Sequence, residues 1–144
     1  MTEEPGADFQ TAFWSAKHAL AVAAATAYAQ HGVYEGQQFI LRALWAEDGL
    51  TPGAVAKRLG LSTPTVTRAT TRMEAAGLLR REPHETDRRL VRLYLTDRGR
   101  RLERTIEDEG ERLSERALAT LDGDERAALL RALRTIERNL TREE

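Results

Sequence analysis

Leu50-Thr51-Pro52-Gly53-Ala54-Val55-Ala56-Lys57-Arg58-Leu59-Gly60-Leu61-Ser62 reads as a short helix, a tight turn and the approach to a second helix. Thr51 can cap the first helix, and Pro52 suits its first turn, where a missing N–H costs no intrahelical bond. Val55 and Leu59 stand four apart on one face with Ala56 beside them. Gly60 can take the positive φ that stops a helix, and Leu61 is expected to return to the core. Ser62 or Thr63 can then cap the next helix. Two short helices joined by a glycine-containing turn form the helix-turn-helix pattern.

The second helix, Thr63 to Ala76, has an unusual outer face. Val66, Ala69, Met73 and Ala76 recur at the spacing of a core-facing stripe. Thr65, Arg68 and Arg72 fall opposite, with Ser62, Thr63, Pro64 and Thr67 near the start. Five threonines between Thr63 and Thr71 lower helix propensity, where Glu, Lys or Gln would serve a plain surface better. Short hydroxyls, methyls and arginines instead suit a helix lying in a DNA major groove, where Arg pairs with guanine and Thr meets thymine. A merely polar surface helix is the plainer reading of these residues alone.

The following segment shifts that balance. Gly77 can end the helix, Leu78 to Glu82 is a strand candidate, and Pro83 to Arg89 is a polar tip. Val91, Leu93 and Leu95 alternate with Arg92 and Tyr94, the period of a half-buried strand. Two strands joined by a basic tip (Asp87-Arg88-Arg89) make a wing, and a narrow minor groove attracts an inserted arginine. Solvated arginines on an ordinary hairpin are the competing reading.

Four motifs in order carry a family resemblance: Leu-Gly-Leu-Ser-x-Pro-Thr-Val-Thr-Arg (59–68), Glu-Ala-x-Gly-Leu (74–78), Asp-Arg-Arg (87–89) and Leu-x-Leu-Thr-x-x-Gly (93–99). Together they resemble the winged helix-turn-helix regulators of the MarR (multiple antibiotic resistance regulator) family. The resemblance implies a homodimer on a pseudo-palindromic operator of double-stranded DNA, usually a repressor relieved by a small ligand. By position, Thr63, Pro64, Thr65 and Arg68 fall where the family meets bases or nearby backbone. Arg89 falls where a wing arginine enters the minor groove, and Asp87 where a carboxylate holds it. His84 and Glu85 depart from the family's usual Asp-Pro at the start of the wing tip.

Charge is partitioned along the chain. Of 144 residues with a net charge of only −1, residues 51–104 hold 13 Lys and Arg against 6 Asp and Glu, a net of +7. The remainder hold 9 against 17, a net of −8. A basic lobe beside an acidic one points to a polyanion on one side. The sequence has no cysteine, which excludes disulfides and thiolate redox sensing. No apolar run approaches the ~20 residues of a membrane-spanning helix and no signal-peptide pattern is present, so a cytoplasmic protein without a membrane role is expected.

The expected fold is mainly α with a small β-wing: one domain over 1–144, with a DNA-binding lobe at about 34–100 and dimerisation helices at about 7–30 and 101–141. An Ala-rich helix at 7–30 carries Phe9, Phe13, Trp14, Leu20 and Tyr28. A second helix, Tyr34 to Glu47, offers Phe39, Ile40, Leu44 and Trp45 as buried positions. A charged helix from Asp97 to about Leu121 presents Leu102, Ile106, Leu113, Ala117, Leu118 and Leu121. A last helix from Asp122 or Asp124 to about Asn139 is lined by Leu129, Leu130, Leu133, Ile136 and Leu140. These stripes find too little partner surface in one chain, so an isologous dimer is expected.

Trp14, His18, Tyr34, Gln37 and Gln38 are candidates for a pocket taking a small aromatic or amphipathic effector. Trp14 and His18 lie one helical turn apart; an aromatic beside a histidine is also ordinary dimer core. Gln37 matches a glutamine typical of the family, and Gln38 stands where an aromatic is more usual. No cofactor or metal is expected: His18, His31 and His84 lack metal-ligand spacing with one another, and no paired catalytic constellation suggests an enzyme. A winged helix serving only protein contacts would need neither Arg68 and Arg72 on the outer face nor an arginine-tipped wing.

Overall fold

The computed structural model describes residues 5–34 and 36–142; the side chains of Pro5 and Ala7 are outside that description, as is Glu35, which the expected helix 34–47 would include. The described residues form six helices and one hairpin: α1 Pro5–Ala29, α2 Gln37–Ala46, α3 Pro52–Leu59, α4 Thr63–Ala75, β1 Leu79–Pro83, β2 Val91–Leu95, α5 Asp97–Ala117 and α6 Gly123–Thr141. The architecture is mainly α with a two-stranded wing, as the residue pattern predicts. They divide into two compact units between Glu111 and Arg112.

In the first unit, α3 begins where Thr51 Oγ1 accepts the Ala54 N–H, and it ends at Gly60 with φ 66°. Of the two candidate caps for α4, Ser62 is the one that accepts the Thr65 N–H. The wing strands pair antiparallel from Leu79↔Leu95 to Pro83↔Val91, and Leu50 adds a single bridge to Leu93. Pro83, which lacks an N–H, sits at the strand end, where the ladder loses least.

The core gathers Val55 of α3, Val66 and Met73 of α4, Leu41 and Leu44 of α2, Leu78, Leu79 and Leu93 around the wing base, and Ile106 of α5. Trp45 packs against it and donates its indole N–H to the Gly99 carbonyl at 2.9 Å. The glycine of the Leu-x-Leu-Thr-x-x-Gly motif is required here by space: a Cβ on Gly99 would lie 2.2 Å from the Leu78 carbonyl oxygen.

Several expected burials are corrected. Leu61 is 46% exposed, because its N–H, bonded to the Ala56 carbonyl at 2.9 Å, closes the turn while its side chain faces out. Ala76 is exposed because α4 ends at Ala75 and Ala76 serves as the C-cap. Phe39 is 49% exposed; Ile40, Leu41, Ala43 and Leu44 take the core face of α2, and Phe39 lies under the Arg42 guanidinium instead. The helix expected from Tyr34 begins at Gln37, after Gly36 with φ 80°.

The second unit carries the end of α5 and all of α6. The helix expected to reach Leu121 stops at Ala117, and Leu118–Leu121 form a turn. Arg126 braces that turn by donating to the carbonyls of Leu118 and Leu121 at 2.9 and 3.0 Å. Asp122 and Glu125 form a reciprocal capping box at the start of α6. No residue of α6 is buried, and its leucines remain open.

Candidate nucleic-acid interface

The N-terminal turn of α4 is built by Ser62. Its hydroxyl accepts the Thr65 N–H at 3.2 Å and lies 2.7 Å from the Thr65 hydroxyl. Arg68 Nη2 reaches the same Thr65 oxygen at 3.5 Å. Ser62, Thr65, Arg68 and Arg72 therefore follow one another along an exposed row at helical spacing. Thr63 and Pro64 are exposed at the helix start, and Thr67 is half-buried.

The threonines do not all belong to that row. Thr70 is fully buried and donates its hydroxyl to the Thr67 carbonyl at 3.1 Å; Thr71 does likewise at 2.8 Å. Both also accept from Arg81 of β1, whose Nη2 lies 3.3 Å from Thr70 Oγ1, 2.5 Å from Thr71 Oγ1 and 3.1 Å from the Thr67 carbonyl. The Arg81 N–H donates to Glu74 at 2.8 Å. This clamp between wing and helix was not foreseen from the residues. A signal for it existed: Arg81 is two residues from buried Leu79, so the period of the strand turns an arginine toward the helix side.

At the wing tip, Arg89 donates from Nε to Asp87 Oδ1 at 3.1 Å and from Nη2 to Asp87 Oδ2 at 3.2 Å. Its backbone N–H also reaches Asp87 Oδ1 at 3.1 Å. The Arg89 guanidinium, and then the Arg89 main-chain N–H, hold the Asp87 carboxyl below the usual range. The Arg89 side chain is 90% exposed, so it is oriented by the carboxylate while remaining open to solvent. Arg88 is exposed beside it.

The base of the tip is tied by Arg92. It donates from Nε to both oxygens of Glu85 at 2.8 and 3.0 Å, and from Nη1 to the Gly49 carbonyl at 2.9 Å. Glu85 is held below its ordinary range by main-chain hydrogen bonding first and by Arg92 second. His84 and Glu85 thus form a hydrogen-bonded tip in place of the Asp-Pro pattern.

The five candidate effector residues fall into two groups. Trp14 and His18 are exposed on α1; Trp14 meets Phe13 edge-on at 5.3 Å and the Lys17 ammonium at 4.9 Å, both on its own helix. Tyr34 and Gln37 are joined at the start of α2, where the Tyr34 N–H donates to Gln37 Oε1 at 3.0 Å. Buried Gln37 lines a shallow depression with Thr65, Arg68, Ala69 and Arg72, so it faces α4. Gln38 is half-buried.

Comparison with known proteins agrees with this geometry. The profile of the MarR family matches residues 33–91. The chain is similar to the HTH-type transcriptional regulator TtmR of Methylorubrum extorquens, 37% identical over 91 residues, covering 63% of this chain and 47% of that protein. The chain therefore spans about half of that relative's length. Its fold is similar to the crystal structure of the PcaV transcriptional regulator from Streptomyces coelicolor, with a TM-score of 0.81, 28% identity, and coverage of 96% of this chain and 98% of that one. It is also similar in fold to a structure of reduced AbfR bound to DNA, with a TM-score of 0.71 and 23% identity over 94% of this chain and 92% of that one.

Proposed function

The chain belongs to the MarR family of winged helix-turn-helix regulators, and from that premise we propose that it is a homodimeric transcriptional regulator that reads double-stranded DNA. The observation that carries the proposal is the wing: Asp87 orients an arginine that is otherwise 90% exposed at its tip. In the proposed complex, Ser62 at the N-cap and Thr63, Pro64, Thr65, Thr67, Arg68 and Arg72 of α4 face the major groove, where arginine can recognise guanine through paired hydrogen bonds. Arg89, flanked by Arg88, enters the adjacent minor groove, where narrowing concentrates negative potential. The positive end of the α4 dipole favours phosphate close to Ser62 and Thr63.

Dimerisation accounts for the apolar surface left open in each unit. Phe9, Trp14, Leu20 and Val22 of α1 are exposed, as are Leu129, Leu130, Leu133 and Leu140 of α6. A second copy covering these faces turns two readers into one that spans two half-sites. We assign the regulator the role of repressor, released by a small aromatic or amphipathic effector bound near Trp14 and His18 or at the Tyr34–Gln37 turn, with Gln38 beside it. Gln37 supports a link to DNA binding because it lies against Thr65, Arg68 and Arg72.

The test is a titration of the DNA flanking the protein's own gene, at several salt concentrations, with sedimentation of the free protein. Saturable binding by a species of twice the chain mass, weakening steeply with salt, is expected. A stable monomer, or binding no tighter to that DNA than to an unrelated duplex, overturns the reading. For the effector, a thermal-shift screen of aromatic acids should find a ligand that stabilises the protein and lowers DNA affinity.

A further inference from the structure

The wing tip is shaped around one imidazole. His84 Nδ1 faces the main-chain N–H of Asp87 at 3.1 Å and that of Thr86 at 3.3 Å, with the Thr86 hydroxyl at 3.4 Å. A ring nitrogen facing two main-chain donors can serve them as an acceptor only through an unprotonated lone pair. The side chain is mostly covered, with 18% exposure. Asp87, whose N–H is tied to the ring, is the residue whose carboxylate takes the N–H, Nε and Nη2 of Arg89. The hydrogen bonds therefore run in series from His84 to Asp87 to Arg89.

We infer that His84 is a positioning residue for Arg89 and that it acts only as a neutral ring, so that the wing engages DNA less tightly when His84 is protonated. This inference rests on the DNA-binding reading above. A proton on Nδ1 would set three N–H groups against one another in place of two donated bonds. It would also add positive charge beside Arg92, whose Nη2 lies 3.2 Å from Nε2. Arg92 Nη2 is itself a donor, so each ring nitrogen of His84 faces N–H groups. Two carboxylates act in the opposite direction. Glu85 Oε2 is 3.7 Å from Nδ1, but both Glu85 oxygens are bonded to Arg92; the Asp87 carboxylate is bonded to Arg89. Neither supplies the acceptor that the Thr86 and Asp87 N–H groups would lose. Acidification thus adds a charge beside Arg92 and removes the acceptor around which the turn is folded.

The direction distinguishes this from simple charge counting. Protonating His18, His31 and His84 adds positive charge, and counterion release alone predicts tighter DNA binding in acid. We test the inference with a duplex selected by the protein from a random-sequence pool, at constant salt. As pH is lowered from about 8 until the His84 ring resonances report protonation, affinity of the native protein should fall by roughly tenfold. His84→Asn keeps an oxygen acceptor that does not titrate. It should bind within about threefold of the native protein at the higher pH and lose most of the pH dependence. Affinity that is flat or rises on acidification, or that falls equally in His84→Asn, overturns the inference. A second readout is independent of DNA: the Thr86 and Asp87 amide resonances of the native protein should move together with the His84 ring as pH is lowered. Amides that stay fixed while the ring titrates also overturn it. If no duplex is selected at any pH, the DNA-binding reading fails, and the amide titration still decides what His84 does.

Discussion

The Arg81 guanidinium of β1 donates to the main-chain carbonyl of Thr67 in α4 across 3.1 Å. The same Nη2 reaches the Thr70 and Thr71 hydroxyls, so one wing arginine fixes a full turn of the adjacent helix. Wing and helix are thereby held as one piece, the rigidity that the proposed reading of two grooves together requires.

Removing the clamp should cost stability as well as binding. Arg81→Ala leaves the buried Thr70 hydroxyl without this donor, and hydrogen bonds involving a charged group contribute about 1.5–3 kcal/mol. Urea unfolding of the variant should show a loss of that order, with weaker binding on all duplexes. A loss below about 0.5 kcal/mol, the range of an ordinary surface change, would mean that the clamp is idle.

Two glycines of α5 should respond oppositely to alanine. At Gly99 an added methyl meets the Leu78 carbonyl at 2.2 Å, a contact only backbone movement can relieve. Gly99→Ala should therefore destabilise by about 2–3 kcal/mol or more. At Gly110 the nearest atoms are the Tyr28 hydroxyl at 3.3 Å and Arg42 Nη2 at 3.4 Å, both at the ends of side chains. Gly110→Ala should be neutral or stabilising, by up to about 1 kcal/mol of helix propensity. Equal thermal midpoints for the two variants would contradict the close approach at Gly99.

Arg68 and Arg89 should divide specificity from general affinity. Arg68→Ala should relax base preference at one position of each half-site, an effect of about 1–3 kcal/mol in discrimination. Arg89→Ala should weaken binding across sequences, most where the flanks are rich in A·T pairs, and should make the log–log salt slope shallower by up to about two units per dimer. Asp87→Ala should partly mimic Arg89→Ala. Charge counting predicts the reverse, because a negative charge is lost; tighter binding by Asp87→Ala would end the orienting role.

Acid should also loosen the tip through its carboxylates. Asp87 and Glu85 are held below their ordinary values, so each favours the folded tip above its unfolded value of about 4. That contribution is lost as pH falls through the lowered folded value. The Arg89 amide resonance should move in this acidic window, and Asp87→Asn should remove that step. A shift persisting in Asp87→Asn would assign it to another group.

Local chemistry made the recognition unit legible in the sequence. A cap, a proline and a positive-φ glycine act within a few residues, so Thr51, Pro52, Gly60 and Gly77 mark turns that the fold keeps. Period-two alternation likewise located the wing, and the Asp87–Arg89 pair spans only two positions. Contacts between distant segments were another matter. The strand period turns Arg81 to the helix side, but it does not say which residues meet it; the antiparallel register and the packing of the strand on α4 bring Thr67, Thr70 and Thr71 to it. The exposure of Leu61 and Phe39 was decided by which face of each element the shared core had room to take. The two groups of effector candidates show the same limit, because side chains close in sequence pattern are sorted by the elements that carry them. His84 joins both levels: its departure from the Asp-Pro pattern was visible as a residue, but only the folded hairpin turns its Nδ1 toward the Thr86 and Asp87 N–H groups. Short-range hydrogen bonds and φ preferences are written residue by residue, whereas burial and long-range donors depend on volume shared by the whole chain.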